Sequence, residues 1–314
     1  MRGVFKAFTA FSSIFGSSGV IFNLVLCLLY LRNPQLLDAA NIFILSIAVG
    51  DFAYSIVAFP LLVSSNARSE WLFGDAGCTA YGFLTSLFGL GSLMHLAGEA
   101  YERYTAFTRL VDDDETHFSK KKALIFSMLL WCYSLFWSLM PVFGWSSFVQ
   151  EGIGTSCAVD WRSKEASDVS FALCLMLACF LLPIAIIVYC YYKCYRTVHQ
   201  LAEYALQNWG ENTHVTKDAL EAEREMAKIA VTMTAGFLVA WTPYAVASVV
   251  AMFNASLVSD ITASVPAYIA KSSACYNPLI NLYMNKKLRG KLAELFCCRM
   301  SQVHPQQNVS MHVI

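Results

Sequence analysis

Seven apolar runs, each long enough to cross a lipid bilayer, constrain this chain more than any other feature. They read Phe8–Leu31, Ile42–Ser64, Gly77–Phe107, Ala123–Phe148, Val169–Tyr192, Ile229–Phe253 and Ile261–Tyr283. A helix spans the hydrocarbon core with about 20 residues. No run alternates in the manner of a membrane β-strand, so the spans must satisfy their backbone hydrogen bonds internally, as helices do. With 57% of its residues hydrophobic and 14% charged, the chain is expected to be solvated largely by lipid. The fold class that follows is an all-α membrane protein, a seven-transmembrane helix bundle.

The basic residues set the expected orientation. Arg32, Arg103, Arg109, Lys120, Lys121, Lys122, Lys193, Arg196, Lys217, Arg224, Lys228, Lys286, Lys287, Arg289, Lys291 and Arg299 fall on one side, against Arg2, Lys6, Arg68, Arg162 and Lys164 on the other. Positive residues collect on the cytoplasmic face, which puts the N-terminus outside. The first run is too long for a secretory signal and is read as a retained helix. Net charge is zero and no basic patch interleaves with aromatics, so nucleic-acid binding is not expected. No metal site is expected either.

Polar residues inside the runs carry the functional information. Asn23 and Asp51 are expected to face the bundle interior and form an internal polar network. Lys271 interrupts the seventh run more deeply than any other basic residue does. A mid-bilayer charge costs roughly 2.5–3.5 kcal/mol on insertion scales, which makes such a group a functional-site candidate by default. Cys78 and Cys157 fall on the outer, oxidising side, where a disulfide would pin the second outer loop over the bundle mouth. Glu102 and Arg103 lie at the inner end of the third run, with Glu223 a partner across the bundle. Pro183, with Tyr191 two turns on, and Pro243, beside Trp241, mark bends. The segment NKKLRGKLAELFCCRM sets basic residues against Leu288, Leu292, Leu295 and Phe296, the pattern of a short amphipathic eighth helix at the inner interface. Cys297 and Cys298 at its end are lipidation candidates. The expected division is residues 1–285 for the seven-span domain, 286–298 for the amphipathic helix and 299–314 for a cytoplasmic tail.

Together these pieces resemble the rhodopsin-like G-protein-coupled receptors. Asn23, Asp51, Arg103 in ERY, Trp131, Pro183, Trp241 with Pro243, and Asn277–Pro278 in NPLIN stand in the expected spans and order. Within that family the chain is similar to the opsins. Lys271 lies six residues before Asn277, in AKSSACYNP, and the loop segment GWSSFVQEGIGTSCAVDW is opsin-like throughout. The resemblance implies that Lys271 forms a Schiff base with retinal, 11-cis or all-trans. It also implies a disulfide between Cys78 and Cys157, and a retinal pocket containing Tyr81, Trp241 and Tyr244.

A protonated Schiff base needs an anion. Vertebrate visual opsins place a glutamate three residues after the third-span cysteine, where this chain has Tyr81. Glu151, six residues before Cys157, is the remaining counterion candidate, with Tyr81 offering a hydroxyl instead of a charge. That arrangement resembles neuropsin- and peropsin-type non-visual opsins. The expected function is a light sensor, and the expected partners are a heterotrimeric G protein of the Gi/Go class, arrestin, a receptor kinase and membrane lipid. The expected location is the plasma membrane or a photoreceptor membrane. The switch would comprise Glu102, Arg103, Glu223, Tyr191, Asn277 and Pro278. Asn281 stands where the family's NPxxY tyrosine would be, and Glu99 adds an unusual acid one turn above Glu102. The alternative expectation is a retinal photoisomerase of the retinochrome type, with little signalling.

Overall fold

A computed structural model describes the backbone of residues 2–112, 118–209 and 214–296, and their side chains except at 109–112, 201–209, 214–220, 222, 223, 295 and 296. Four helices come first: α1 (Arg2–Arg32), α2 (Ala39–Arg68), α3 (Gly74–Asp112) and α4 (Lys120–Leu139). A hairpin follows, β1 (Phe148–Glu151) and β2 (Ser156–Val159). The fifth span is α5 (Ala166–Met176), a π turn over Leu177–Leu181, and α6 (Leu182–Trp209). The sixth is α7 (His214–Phe253). The seventh is α8 (Asp260–Ser272), a 3-10 turn over Ser273–Cys275, and α9 (Tyr276–Met284), after which α10 (Lys286–Phe296) leaves the bundle.

Among the described residues, six helices are long and apolar enough to cross a membrane. The seventh span does not count as one such helix because it breaks at its middle. Pro278 has no N–H to offer the carbonyl four residues back, at Ala274. The Asn23 amide takes that carbonyl at 2.9 Å, and the carbonyl of Gly19 at 2.8 Å. Asn23 thus repairs the break by tying α1 to it. The fifth span is handled similarly. Its π turn sits just before Pro183, and the Tyr133 hydroxyl of α4 donates to the Ala178 carbonyl at 3.1 Å.

The fourth span is shorter than the sequence suggests. Its helix ends at Leu139 instead of running to Phe148, because Pro141 follows and Gly144 and Ser146 take positive φ. Phe148 begins the hairpin instead, paired with Val159, and Glu151 is paired with Ser156. This hairpin is the one described departure from an all-helical chain. It closes the outer end of the bundle.

The core lies along the bundle axis. Its inner half joins Leu26, Leu29, Ile44, Leu96, Met233 and Phe237 of four spans, while Tyr54, Phe59, Trp71, Tyr81 and Tyr268 form a second, aromatic cluster toward the hairpin. The amphipathic reading of α10 fits its packing. Leu288 is buried and Leu292 packs on the inner cluster.

Candidate functional site

The outer loop is fixed from several directions. Cys78, at the start of α3, is bonded to Cys157 of β2. The Ile153 N–H donates to Ser264 Oγ of α8 at 3.0 Å, and Thr155 Oγ1 lies 3.0 Å from the Tyr268 hydroxyl. That hydroxyl donates onward to Asn66 of α2 at 2.7 Å. Gly152 and Gly154 turn the hairpin with φ of 57° and 76°, values that suit residues without a Cβ. The end of β1 therefore has one place to be.

Glu151 stands at that end, directly over Lys271. Lys271 Nζ is 2.7 Å from Glu151 Oε1, and the two side chains are only 5% and 11% exposed. Buried charges persist when paired and hydrogen-bonded, and here both conditions hold. Ser156 Oγ donates to Glu151 Oε1 at 3.2 Å, and the Tyr244 hydroxyl donates to Oε2 at 3.0 Å. Two rings flank the amine. Nζ lies 5.9 Å from the Tyr81 ring centroid and 5.8 Å from that of Tyr268. Tyr81 thus presents a π face to the amine, and its buried hydroxyl has no hydrogen-bond partner among the described residues.

Lys271 opens onto an apolar cavity whose walls include Thr85, Leu90, Trp137, Phe171, Trp241 and Tyr244. A second chamber shares Leu90, Trp161, Leu175, Trp241 and Tyr244 with it and runs on to Phe180 and Phe237. The space is elongated, with one amine at its end. Trp241 forms its inner wall. The indole N–H donates to Ser273 Oγ at 2.9 Å, and a Cβ on Gly89 would meet the ring at 2.8 Å. Gly89 of α3 makes room for this tryptophan.

Toward the inner side, Asp51 accepts from Ser92 Oγ at 3.1 Å and from Asn277 Nδ2 at 3.4 Å. Asp51 and Asn23 stand on either side of the seventh-span break without bonding each other. Arg103 donates through Nε to Glu102 Oε2 at 2.7 Å. The Glu223 side chain, Cys297 and Cys298 lie outside the described residues. Asn281 is fully buried; its amide donates to the Asn277 carbonyl at 3.0 Å and to Met233 Sδ at 2.9 Å. The Tyr191 hydroxyl is buried without a hydrogen bond in the described structure.

Sequence reasoning missed four members of the site. Tyr268 is one turn before Lys271, a spacing that could have placed it on the same face. Ser156, Trp161 and Ser273 carried no such signal, because the hairpin register and the seventh-span break bring them in.

This geometry can be set beside known proteins. Residues 22–281 match the family described as 7 transmembrane receptor (rhodopsin family). The chain belongs to that family of integral membrane receptors. Human melanopsin is 35% identical over 289 residues, covering 90% of this chain and 60% of that protein. The rhodopsin of Loligo forbesii is 30% identical over 310 residues, covering 95% of this chain and 68% of that one. A crystal structure of squid rhodopsin matches with a TM-score of 0.88 and 30% identity, over 96% of this chain and 89% of that chain. Within the receptor family, then, the chain is an opsin. It spans about 60% of the length of the mammalian melanopsins it matches. These relatives establish the opsin family and do not bear on a narrower neuropsin- or peropsin-like placement.

Proposed function

We propose that the protein is a light-sensing receptor that holds retinal covalently at Lys271 and activates a heterotrimeric G protein of the Gi/Go class, with its N-terminus outside the cell. The observation that carries this reading is the buried Lys271 amine, 2.7 Å from Glu151, at one end of an elongated apolar cavity. An elongated cavity lined by apolar and aromatic side chains suits a small hydrophobic ligand. The residues fit the group: one amine at the end, one carboxylate beside it and aromatic walls beyond. When bound, retinal supplies an aldehyde for that amine and a polyene whose shape light changes.

The residues divide the remaining work. Glu151 balances the positive charge at Lys271, and the disulfide-bonded hairpin keeps bulk water from the pair. Tyr81 and Tyr268 flank the amine. Trp241 and Tyr244 place two walls of the cavity on α7, so a change in the occupant's shape favours one position of that helix over another. Movement of α7 away from the bundle would open the inner cavity at Arg103, Met226 and Leu288, where a G protein would enter. Glu102, Arg103, Glu223, Tyr191, Asn277 and Pro278 make up the proposed switch. Arrestin and a receptor kinase are the proposed regulators, and a plasma or photoreceptor membrane the proposed location. Cys297 and Cys298 are the proposed lipid anchors of α10.

Asn281 favours photoisomerisation as a second reading. It bonds Met233, and the Tyr191 hydroxyl is left without a tyrosine opposite it. One experiment separates the two. Purified protein is incubated with 11-cis or all-trans retinal and illuminated, and both nucleotide exchange on several G proteins and the retinal isomers are measured. Light-dependent exchange is expected. Isomer conversion without exchange would establish the photoisomerase instead, and a normal absorption band in Lys271→Ala would sink both readings.

A further inference from the structure

We propose that Trp161 is a positioning residue for the Glu151 carboxylate and acts through the Tyr244 hydroxyl. The inference rests on the reading of Glu151 as the partner of the Lys271 charge. The Trp161 indole N–H donates to the Tyr244 oxygen at 3.0 Å, and the Tyr244 hydroxyl donates to Glu151 Oε2 at 3.0 Å. An indole nitrogen can only donate, whereas a phenol has a single hydrogen and an oxygen that also accepts. With the indole on the accepting side, the one phenolic hydrogen is directed to Glu151. Glu151 is then held from three elements: Ser156 of β2 and Lys271 of α8 at Oε1, and Tyr244 of α7 at Oε2.

The indole is itself anchored. The Trp161 N–H of the backbone bonds the Val159 carbonyl at 2.9 Å, and Asp160 Oδ1 accepts from the backbone of Arg162 and Ser163. Arg162 reaches the outer end of the seventh span, bonding the Val258 carbonyl at 3.0 Å and Asp260 at 3.3 Å. Trp161 thus belongs to a loop fixed to α3 through the disulfide and to the seventh span through Arg162. Tyr244 belongs to α7, three residues beyond Trp241. The Trp161–Tyr244–Glu151 chain makes the charge at Lys271 sensitive to the position of the sixth span. Without the indole N–H, nothing on the accepting side of the phenol directs its single hydrogen to Glu151.

A double-mutant cycle tests this. Wild type, Trp161→Phe, Tyr244→Phe and the double variant are regenerated with 11-cis-retinal, and the absorption maximum is read. Trp161→Phe is expected to move the maximum in the same direction as Tyr244→Phe and to add nothing in the Tyr244→Phe background. Trp161→His, which keeps a ring N–H, should restore part of the shift. Additive shifts would overturn the proposal, as would a Trp161→Phe pigment that absorbs where wild type does. The same cycle is run on ligand-free protein with the midpoint of thermal unfolding as readout, and the same non-additivity is expected. If wild type takes up no retinal, the functional reading fails, and the ligand-free cycle still decides whether Trp161 acts through Tyr244.

Discussion

The outer and inner halves of the bundle differ in how their buried polar groups are tied together. Around Lys271, charged and polar groups are joined across several elements by short bonds to Glu151, Ser156, Tyr244, Trp161, Thr155 and Asn66, with the Tyr81 hydroxyl as an exception. Around Asn281 the ties are weaker: its amide donates to the Asn277 carbonyl of its own helix and to Met233 Sδ of α7. A network bonded across several elements specifies one arrangement more firmly than a contact to a weak sulfur acceptor does. The outer half is built to hold a ligand in one geometry. The region around Asn281 is held less firmly.

The largest expected effect breaks the outer network at its charge pair. Glu151→Ala leaves the Lys271 ammonium buried and unpaired, and losing one partner of a buried pair typically costs about 3–5 kcal/mol. A pronounced drop in the melting midpoint of ligand-free protein is expected, with Glu151→Gln falling between. A melting midpoint unchanged in the alanine variant would mean that the amine finds other solvation, and the outer half would then be less tightly specified than its bonds imply. Cys157→Ser comes next. Loss of a native disulfide costs about 2–5 kcal/mol in small secreted domains. Here it should also slow and reduce retinal uptake, measured as the yield of the absorption band, because the hairpin end that carries Glu151 loses its tie to α3.

Asn23→Ala tests the border between the two halves. The Ala274 carbonyl, already without its helical donor because of Pro278, would lose the amide as well. An unsatisfied buried acceptor costs about 1–3 kcal/mol. Melting should fall by less than in Glu151→Ala, and hydrogen exchange should rise around Ser273–Cys275. Exchange unchanged there would show that the 3-10 turn holds without Asn23.

What could be read from the sequence follows the same division. The spans, the isolated Lys271 and the paired outer cysteines were legible because each is a local violation or fulfilment of a membrane rule. Glu151 was legible only through family resemblance, since a loop carboxylate has no periodicity to place it. Its register opposite Ser156 in a hairpin sets that position, and the hairpin lies in a segment read as outer loop, with only its first residue, Phe148, in the run read as the fourth span. Asn23 was legible as a buried polar residue but not as the donor that repairs the Pro278 break, because that pairing joins residues 251 apart. Trp161 and Tyr268 join the site only because segments distant in the chain meet there, Tyr268 beside the amine and Trp161 through Tyr244.

The smallest expected effect lies in the inner half. Met233→Leu removes the thioether that accepts from Asn281 Nδ2 and keeps the volume of the side chain. Sulfur is a weak acceptor, and the Asn281 amide retains the Asn277 carbonyl, so the variant loses little. Swaps between Met and Leu in a packed core usually cost less than about 1.5 kcal/mol. The melting midpoint should therefore barely move. The contact nonetheless joins α7 to α9, and its loss removes a restraint on the sixth span, so nucleotide exchange in the dark should rise above the wild-type level. If Met233→Leu instead lowers the melting midpoint as far as Asn23→Ala does, the inner half is as firmly specified as the outer.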